Sequence, residues 1–233
     1  MIRFLPPEIL AMLLVVAALS VADSGEDRAD IEAAPTPTCL DGAIEAIQSR
    51  YDLIDDLRAD FEQVTRTAAL AGRGSSVTGT VSFAKPDKMR WSYADPPSLL
   101  VSDGRTLWIY DPAFKEVQKL SVGSSQYLSG ASIQFLLGER SIRRDFSVVE
   151  RGCTVDSVDI DLTPIEPATF ERLAIVVDRN TGDLIRTTIY DLLGNVTEVT
   201  FSNLRTDLSP PPETFRFDPP AGVKVLEIGG NPQ

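Results

Sequence analysis

The 233-residue sequence contains no histidine. Imidazole is the base of Ser-His-Asp triads, the partner of catalytic cysteines and a common zinc ligand. Its absence excludes these three kinds of site and leaves carboxylate-based or lysine-based catalysis, for which the chain carries no recognisable motif. We therefore expect no catalytic residues, no metal site and no cofactor, and we do not expect an enzyme.

Positive charge is also scarce, because 22 Lys and Arg residues face 34 Asp and Glu residues and the formal net charge is -12. Nucleic acids and anionic membrane surfaces need a positive patch to neutralise, and no run of Lys or Arg provides one. We expect neither a nucleic acid nor an anionic membrane surface as a direct partner. A basic ligand or partner surface fits the charge better; the alternative is that the charge only keeps the chain soluble.

Long apolar runs are absent except near the amino terminus, where Ile9 to Ala22 is uncharged. This run is shorter than the ~20 apolar residues of a membrane-spanning helix, and Ser20-Val21-Ala22 offers small residues for signal peptidase. The pattern predicts a cleaved secretory signal over residues 1–22. The alternative is an uncleaved anchor, which Glu8 in the amino-terminal region keeps open. No cysteine directly follows the run, so we expect a mature protein without a lipid anchor.

After the signal, residues 23–38 are acidic and carry prolines, and they hold too little apolar surface to offset the entropy of ordering. We predict a flexible acidic leader there, a single domain over residues 39–228 and a flexible tail over residues 229–233. Only two cysteines occur, Cys39 and Cys153. An exported protein meets an oxidising compartment, so one disulfide is the simplest interpretation, and two separate buried thiols are the alternative.

Short strands separated by turns are predicted from Gly79 to Pro112. Apolar side chains alternate with polar ones before and after Lys85-Pro86, which is typical of paired strands. Asp103-Gly104 between two further apolar runs is a strong hairpin signal. The run from Leu107 to Tyr110 has apolar side chains at both odd and even positions, so both faces of this strand should be covered.

Two amphipathic helices are predicted around these strands. The first spans Leu40 to Phe61, where apolar residues recur every three or four positions, and the second spans Ser125 to Leu137. Residues from Val158 to Ser202 are predicted as an antiparallel meander without crossover helices, and a proline cluster then precedes a last apolar run from Phe215 to Val225. Within the meander, Asp159 and Asp161 are a weak candidate for a carboxylate hydrolase, and a solvated strand face explains their alternation better.

These residues resemble the LolA family of periplasmic outer-membrane lipoprotein carriers. The resemblance covers nearly the whole mature chain and rests on a series of short motifs in order. The motifs are Phe61-Glu62-Gln63, Gly79, Lys85-Pro86, Met89-Arg90-Trp91, Ser102-Asp103-Gly104, Leu107-Trp108, Tyr110-Asp111-Pro112, Asp191, Gly194-Asn195, Phe201-Ser202-Asn203 and the run from Phe215 to Val223.

The resemblance implies a mainly β fold with some α-helix: an incomplete antiparallel β-barrel, a strongly curved sheet, with an amphipathic helical lid over its concave apolar face. It implies a periplasmic chaperone that binds the acyl chains of lipoproteins and shuttles them from the inner to the outer membrane. The implied partners are acylated lipoproteins, an inner-membrane lipoprotein-release transporter and, optionally, an outer-membrane acceptor. A monomer is expected.

The resemblance also assigns site residues. The expected lipid-cavity lining is Val81, Phe83, Met89, Trp91, Leu107 and Ile109. The expected lid helix carries Ile44, Ile47, Tyr51, Ile54, Leu57 and Phe61, and the second lid helix carries Leu128, Ile133 and Leu136. The alternative for all of them is ordinary core packing.

Lys85 occupies the position at which the family has an arginine that latches the lid to helix backbone. Lysine is a compact point charge without the planar guanidinium fork, so Lys85 is a latch candidate, with a solvated turn residue as the alternative. A second function also stays open: a regulatory module that senses lipids or lipoproteins on the same fold. Binding of a lipoprotein without its delivery to an acceptor would favour that function.

Overall fold

Twelve β-strands dominate the computed structural model, which describes residues 38–70, 72–121 and 141–228. In chain order the helices are α1 (Cys39–Leu53) and α2 (Ile142–Asp145), with short 3-10 turns at Ala68–Leu70 and Pro212–Phe215. The strands are β1 (Asp56–Arg66), β2 (Gly74–Ala84), β3 (Lys88–Ala94), β4 (Pro97–Asp103), β5 (Thr106–Asp111), β6 (Glu116–Ser121), β7 (Phe146–Cys153), β8 (Ser157–Pro164), β9 (Phe170–Asp178), β10 (Leu184–Asp191), β11 (Val196–Thr206) and β12 (Lys224–Ile228).

All twelve strands belong to one sheet in the order β12-β6-β5-β4-β3-β2-β1-β11-β10-β9-β8-β7. From β1 to β6 and from β7 to β11, neighbours along the chain pair as antiparallel hairpins. Strands β1 and β11 join these two halves, and β12 pairs with β6 in parallel. The sheet is curved and does not close into a barrel, because β12 and β7 stay at opposite edges. The predicted incomplete antiparallel barrel is thereby confirmed.

The first helix begins where predicted but ends earlier. Thr38 caps α1 through a reciprocal pair of hydrogen bonds with Asp41, in which the Thr38 hydroxyl accepts from the Asp41 N–H at 3.1 Å. This is a capping box, which satisfies two of the free donors of the first turn. The helix stops at Leu53, and Ile54 is already extended.

The prediction of helix up to Phe61 was therefore wrong for the last residues. Ile54 follows the helix, and Leu57 and Phe61 lie in β1. The spacing of four residues between Leu57 and Phe61 also satisfies strand parity, because Leu57, Ala59 and Phe61 alternate with polar neighbours. These residues form a strand and not a helix because β1 pairs with β2 on one side and with β11 on the other, which places every second side chain on a buried face.

Hairpin turns follow the predicted turn residues. In the β4–β5 turn, the Asp103 carboxylate accepts the N–H groups of Arg105 and Thr106, both at 2.8 Å. The buried Ser102 hydroxyl donates to the Asp87 carbonyl and accepts the N–H of Gly104, so that it joins the β2–β3 turn to the β4–β5 turn. The peptide bond of Lys85-Pro86 is cis.

The outer face of β5 is covered, as its two apolar parities predicted. Phe217 packs against Trp108 and Tyr110, with ring centroids 6.4 and 5.5 Å away, and Phe215 is buried with it. The Arg90 guanidinium donates to the Thr214 carbonyl and holds this segment on the sheet. The carboxyl-terminal apolar run thus forms a small second core on the outer face.

Several predicted segments lie outside the described residues. They are the signal over residues 1–22, the leader up to residue 37, the second helix with Leu128, Ile133 and Leu136, and the tail over residues 229–233.

Candidate functional site

The six residues predicted to line a cavity lie on one face of neighbouring strands. Phe83 is opposite Met89 and Val81 is opposite Trp91, while Leu107 and Ile109 continue the same face through β4. Five of the six are buried, from 0% exposed at Val81 to 6% at Trp91, and Ile109 is half-buried. The structure brings them together on the inner face; their contact with lipid remains a prediction.

Aromatic rings form the centre of this inner face. Trp91 lies 4.8 Å from Phe61, 6.0 Å from Phe83 and 6.4 Å from Phe201, measured between ring centroids. The Phe61 ring lies over Gly79, where an added Cβ would approach two ring carbons at 2.8 Å. Gly79 therefore makes room for the ring, which explains a glycine inside a strand.

The other half of the sheet continues this inner face, which is apolar except where the buried Thr187 of β10 lies between Val199 and Ile175. Its buried inner residues are Val158, Ile160, Leu162, Leu173, Ile175, Val177 and Val199. Helix α1 packs into the same core through Ile44, Ile47 and Tyr51. The predicted lid helix thus lies against the inner face, with Leu57 and Phe61 contributed by the sheet instead.

Lys85 binds the end of α1. Its Nζ donates to the carbonyl oxygens of Tyr51 at 2.8 Å and Asp52 at 3.1 Å. These carbonyls belong to the last turn of α1, where carbonyl oxygens have no hydrogen-bond donor within the helix. The same turn carries the negative end of the helix dipole. Lys85 thus contacts helix backbone, and its role as a latch stays a prediction.

Two further contacts hold this end of the helix from β9 and β10. Arg50 forms an ion pair with Asp183 at 2.8 Å, and the N–H of Leu184 donates to the Tyr51 hydroxyl at 3.2 Å. Burial raises the pKa of Tyr51 to about 12, so the hydroxyl stays neutral over the physiological range. Neither contact was predictable from local sequence patterns, because the partners lie 133 residues apart.

The other end of α1 is held by a covalent bond. Cys39 and Cys153 form the disulfide that the sequence predicted, with their Cα atoms 6.5 Å apart. Beside it, Arg143 of α2 forms an ion pair with Asp41. The helix is thus tied to β7 at its first residue and to the β2–β3 and β9–β10 turns at its last turn.

Between these two ends the helix backbone touches the β9–β10 turn at Gly182. This glycine has a φ of +74°, and an added Cβ would collide with the Ala46 carbonyl. Only glycine combines that backbone angle with so close an approach.

Residues 53–218 match the family model of the outer membrane lipoprotein carrier protein LolA. The chain belongs to the LolA family. The match begins at the last residue of α1 and contains Lys85 and the inner-face residues. Carriers of this family are periplasmic, bind lipoproteins and are not enzymes.

Individual relatives agree with this assignment. The chain is 34% identical over 204 residues to the outer-membrane lipoprotein carrier protein of Cupriavidus pinatubonensis, covering 84% of this chain and 92% of that protein. It is 28% identical over 189 residues to that of Dechloromonas aromatica, covering 79% and 88%. A crystal structure of an uncharacterised conserved protein from Thermus thermophilus shares the fold, with a TM-score of 0.52, 8% identity and coverage of 82% and 100%.

Outside this LolA-type inner face, the outer face of β7 to β11 has a charged groove of about 500 Å³. At its floor Asp161 accepts hydrogen bonds from Arg151 and Arg172, both at 2.7 Å. The prediction of a solvated face holds for Asp159 and was wrong for Asp161, which is 5% exposed. The two arginines compensate the charge that this burial would otherwise leave unpaired.

Metal chemistry has no support in the part of the chain that the structure describes, where no group of three or more potential ligands converges. Over the same residues, none of the helices combines the length and the apolar character that a membrane crossing requires.

Proposed function

We propose that this protein is a periplasmic carrier that takes the acyl chains of lipoproteins between α1 and the inner face of the sheet. The observation that carries the proposal is the position of α1, which lies over the largely apolar inner face of the sheet and is held at one end by polar contacts. Cargo would replace the packing of the helix on that face.

Cargo and the closed helix compete for the same apolar face. Each methylene of an acyl chain that leaves water gains about 0.8 kcal/mol, so cargo competes well for an apolar face. The closed helix packs on the same face and holds it with Lys85, Arg50 and Tyr51, so an empty carrier regains these contacts on release. A lid that competes with cargo makes release possible without an external energy source.

The arrangement of the contacts also suggests how the lid opens. The disulfide at Cys39 is covalent, whereas the contacts at the last turn of α1 are two backbone carbonyls on Lys85, one ion pair and one hydrogen bond. We infer that α1 swings about Cys39 and that its Leu53 end moves away from the sheet.

Partners and location follow from the same proposal. A signal over residues 1–22 would deliver the chain to the periplasm, an inner-membrane release transporter would load it and an outer-membrane acceptor would unload it. The carrier would act as a monomer, without a cofactor and without catalysis. A lipid-sensing regulatory role is not favoured, since the relatives are named as carriers.

The test is binding of a purified acylated lipoprotein, measured by co-elution in gel filtration. Met89→Gln places a polar amide of similar volume on the inner face and should reduce co-elution strongly. Val149→Gln makes the same kind of change at an outward-facing, exposed position and should leave it intact. Met89→Glu is a harsher version, and circular dichroism checks that each variant is folded. Failure of the unmodified protein to co-elute refutes the proposal.

A further inference from the structure

Two turns at one end of the sheet are joined into a single unit. The β1–β2 turn donates the N–H of Ala68 to the Asn195 side-chain oxygen in the β10–β11 turn at 3.1 Å. Within the second turn, the Asp191 carboxylate accepts the N–H groups of Leu193 and Asn195, both at 2.8 Å. The Asp191 carboxylate is therefore engaged by hydrogen bonds within the turn, and these bonds fix the conformation of the turn.

Leucines stand at the apex of this unit. Leu192 is 66% exposed and Leu193 is 81% exposed, and Ala68 and Ala69 beside them are exposed as well. A single exposed leucine is common on protein surfaces and needs no explanation. Two consecutive leucines at the apex of a hydrogen-bonded turn, next to further exposed apolar residues, form a protruding apolar tip. We call Ala68, Ala69, Leu192 and Leu193 the leucine tip.

The charge around the leucine tip is opposite to that of the whole chain. Residues 66–73 and 191–195 contain three charged side chains, Arg66, Arg73 and Asp191, and the Asp191 carboxylate is held within its turn. Both arginines are exposed, and within the described residues neither is paired with a carboxylate. An apolar apex with two exposed arginines thus projects from a chain of net charge -12.

We propose that the leucine tip docks on a phospholipid bilayer that contains anionic headgroups. Exposed apolar side chains flanked by cations match the boundary between acyl chains and anionic headgroups. The net acidic charge of the chain opposes adsorption of its other surfaces to an anionic bilayer. At physiological salt, the repulsion from distant acidic residues is screened beyond about 8 Å, so the nearby arginines dominate when the leucine tip touches the bilayer. The protein would therefore approach tip first. This deepens the proposed function, on which it rests, because a carrier must come close to the membranes that hold the release transporter and the acceptor.

The test is flotation of the full mature chain with vesicles of phosphatidylethanolamine and phosphatidylglycerol. The unmodified protein should float with these vesicles and much less with vesicles of phosphatidylcholine alone. Arg66→Ala with Arg73→Ala should weaken association by about thirtyfold at low salt, the effect of two cations at an anionic surface. Leu192→Ser with Leu193→Ser should reduce it at least as much.

Val155→Ser is the matched control, since Val155 is 79% exposed in the β7–β8 turn at the opposite end of the strands. It should float like the unmodified protein. All these positions are exposed, so thermal unfolding should change little in any variant. The proposal is overturned if the unmodified protein does not float, or if the leucine variant floats equally well.

Cargo binding in solution separates this proposal from the proposed function. The leucine variant should still co-elute with the acylated lipoprotein, because the leucine tip lies outside the inner face. Normal co-elution with no flotation of the unmodified protein would overturn the membrane contact and leave the carrier function standing. Flotation without any co-elution would instead refute the carrier function.

Discussion

Removal of the Lys85 ammonium should loosen one end of α1. Lys85 Nζ donates to two carbonyls of the last helical turn, at 2.8 and 3.1 Å, and it is half-buried. A hydrogen bond to a charged group contributes about 1.5–3 kcal/mol, and partial exposure places each of these at or below the lower end. We therefore expect Lys85→Ala to cost about 2 kcal/mol of lid closure, which corresponds to about a thirtyfold larger open population.

Hydrogen exchange measures this directly. Amide protons of the last turn of α1 should exchange about thirtyfold faster in Lys85→Ala, while those at the centre of β9 change far less. Acyl-probe affinity should rise, because the closed lid no longer competes as well. Lys85→Arg should keep the exchange rate and the acyl-probe affinity of the unmodified protein, since the guanidinium can donate to both carbonyls. Lys88→Ala is the matched control on the same hairpin. Equal exchange in Lys85→Ala and Lys88→Ala would refute the latch.

Three further outcomes test the attachment of α1. Replacing both Cys39 and Cys153 by Ala opens a loop of 114 residues and should lower the free energy of unfolding by about 4–5 kcal/mol. Urea denaturation measures this change, and the reduced native protein is the comparison. Gly182→Ala should lower it by about 2–3 kcal/mol, because the new methyl meets the Ala46 carbonyl; an unchanged urea midpoint would contradict the close approach. Burial raises the pKa of both Tyr51 and Tyr93 to about 12 from an ordinary value of 10, so the native state keeps protons that the unfolded chain loses, and each tyrosine should lower stability by about 2–3 kcal/mol between pH 10 and 12; Tyr51→Phe should remove about half of that fall.

Local patterns predicted most of the sheet correctly. Alternation around Lys85-Pro86, the Asp103-Gly104 turn and the Leu107–Tyr110 run each identified a strand or turn that the structure contains. These features depend on a few neighbouring residues, and the physics that produces them is local as well. Strands β6, β7 and β12 were not predicted, because charged and glycine residues interrupt their alternation.

The boundary between α1 and β1 shows where local patterns fail. Leu57 and Phe61 satisfy helical and strand spacing at once, and only the two partner strands decide between them. Pairing across 133 residues, as between Arg50 and Asp183, leaves no local signal. The disulfide was predictable because the chain has two cysteines and one possible pair.

The electrostatic details were the least predictable part of the site. Asp161 looked like a surface residue because it alternates with apolar neighbours, yet Arg151 and Arg172 bury it. Lys85 as a latch candidate came from the family resemblance, and its contacts with two specific carbonyls required the three-dimensional structure.

A sheet that stays open has two edge strands, and an exposed edge invites another copy of the chain to add a strand. Here β12 has only five residues, and its Glu227 reaches sideways to pair with Lys119 at 2.9 Å. At the opposite edge, the register of β7 shifts between Glu150 and Gly152, which interrupts the flat row of backbone groups. A short charged edge and a bulged edge are common protections against strand addition. The open sheet, into which the proposed cargo would enter, is therefore combined with edges that discourage self-association into fibrils.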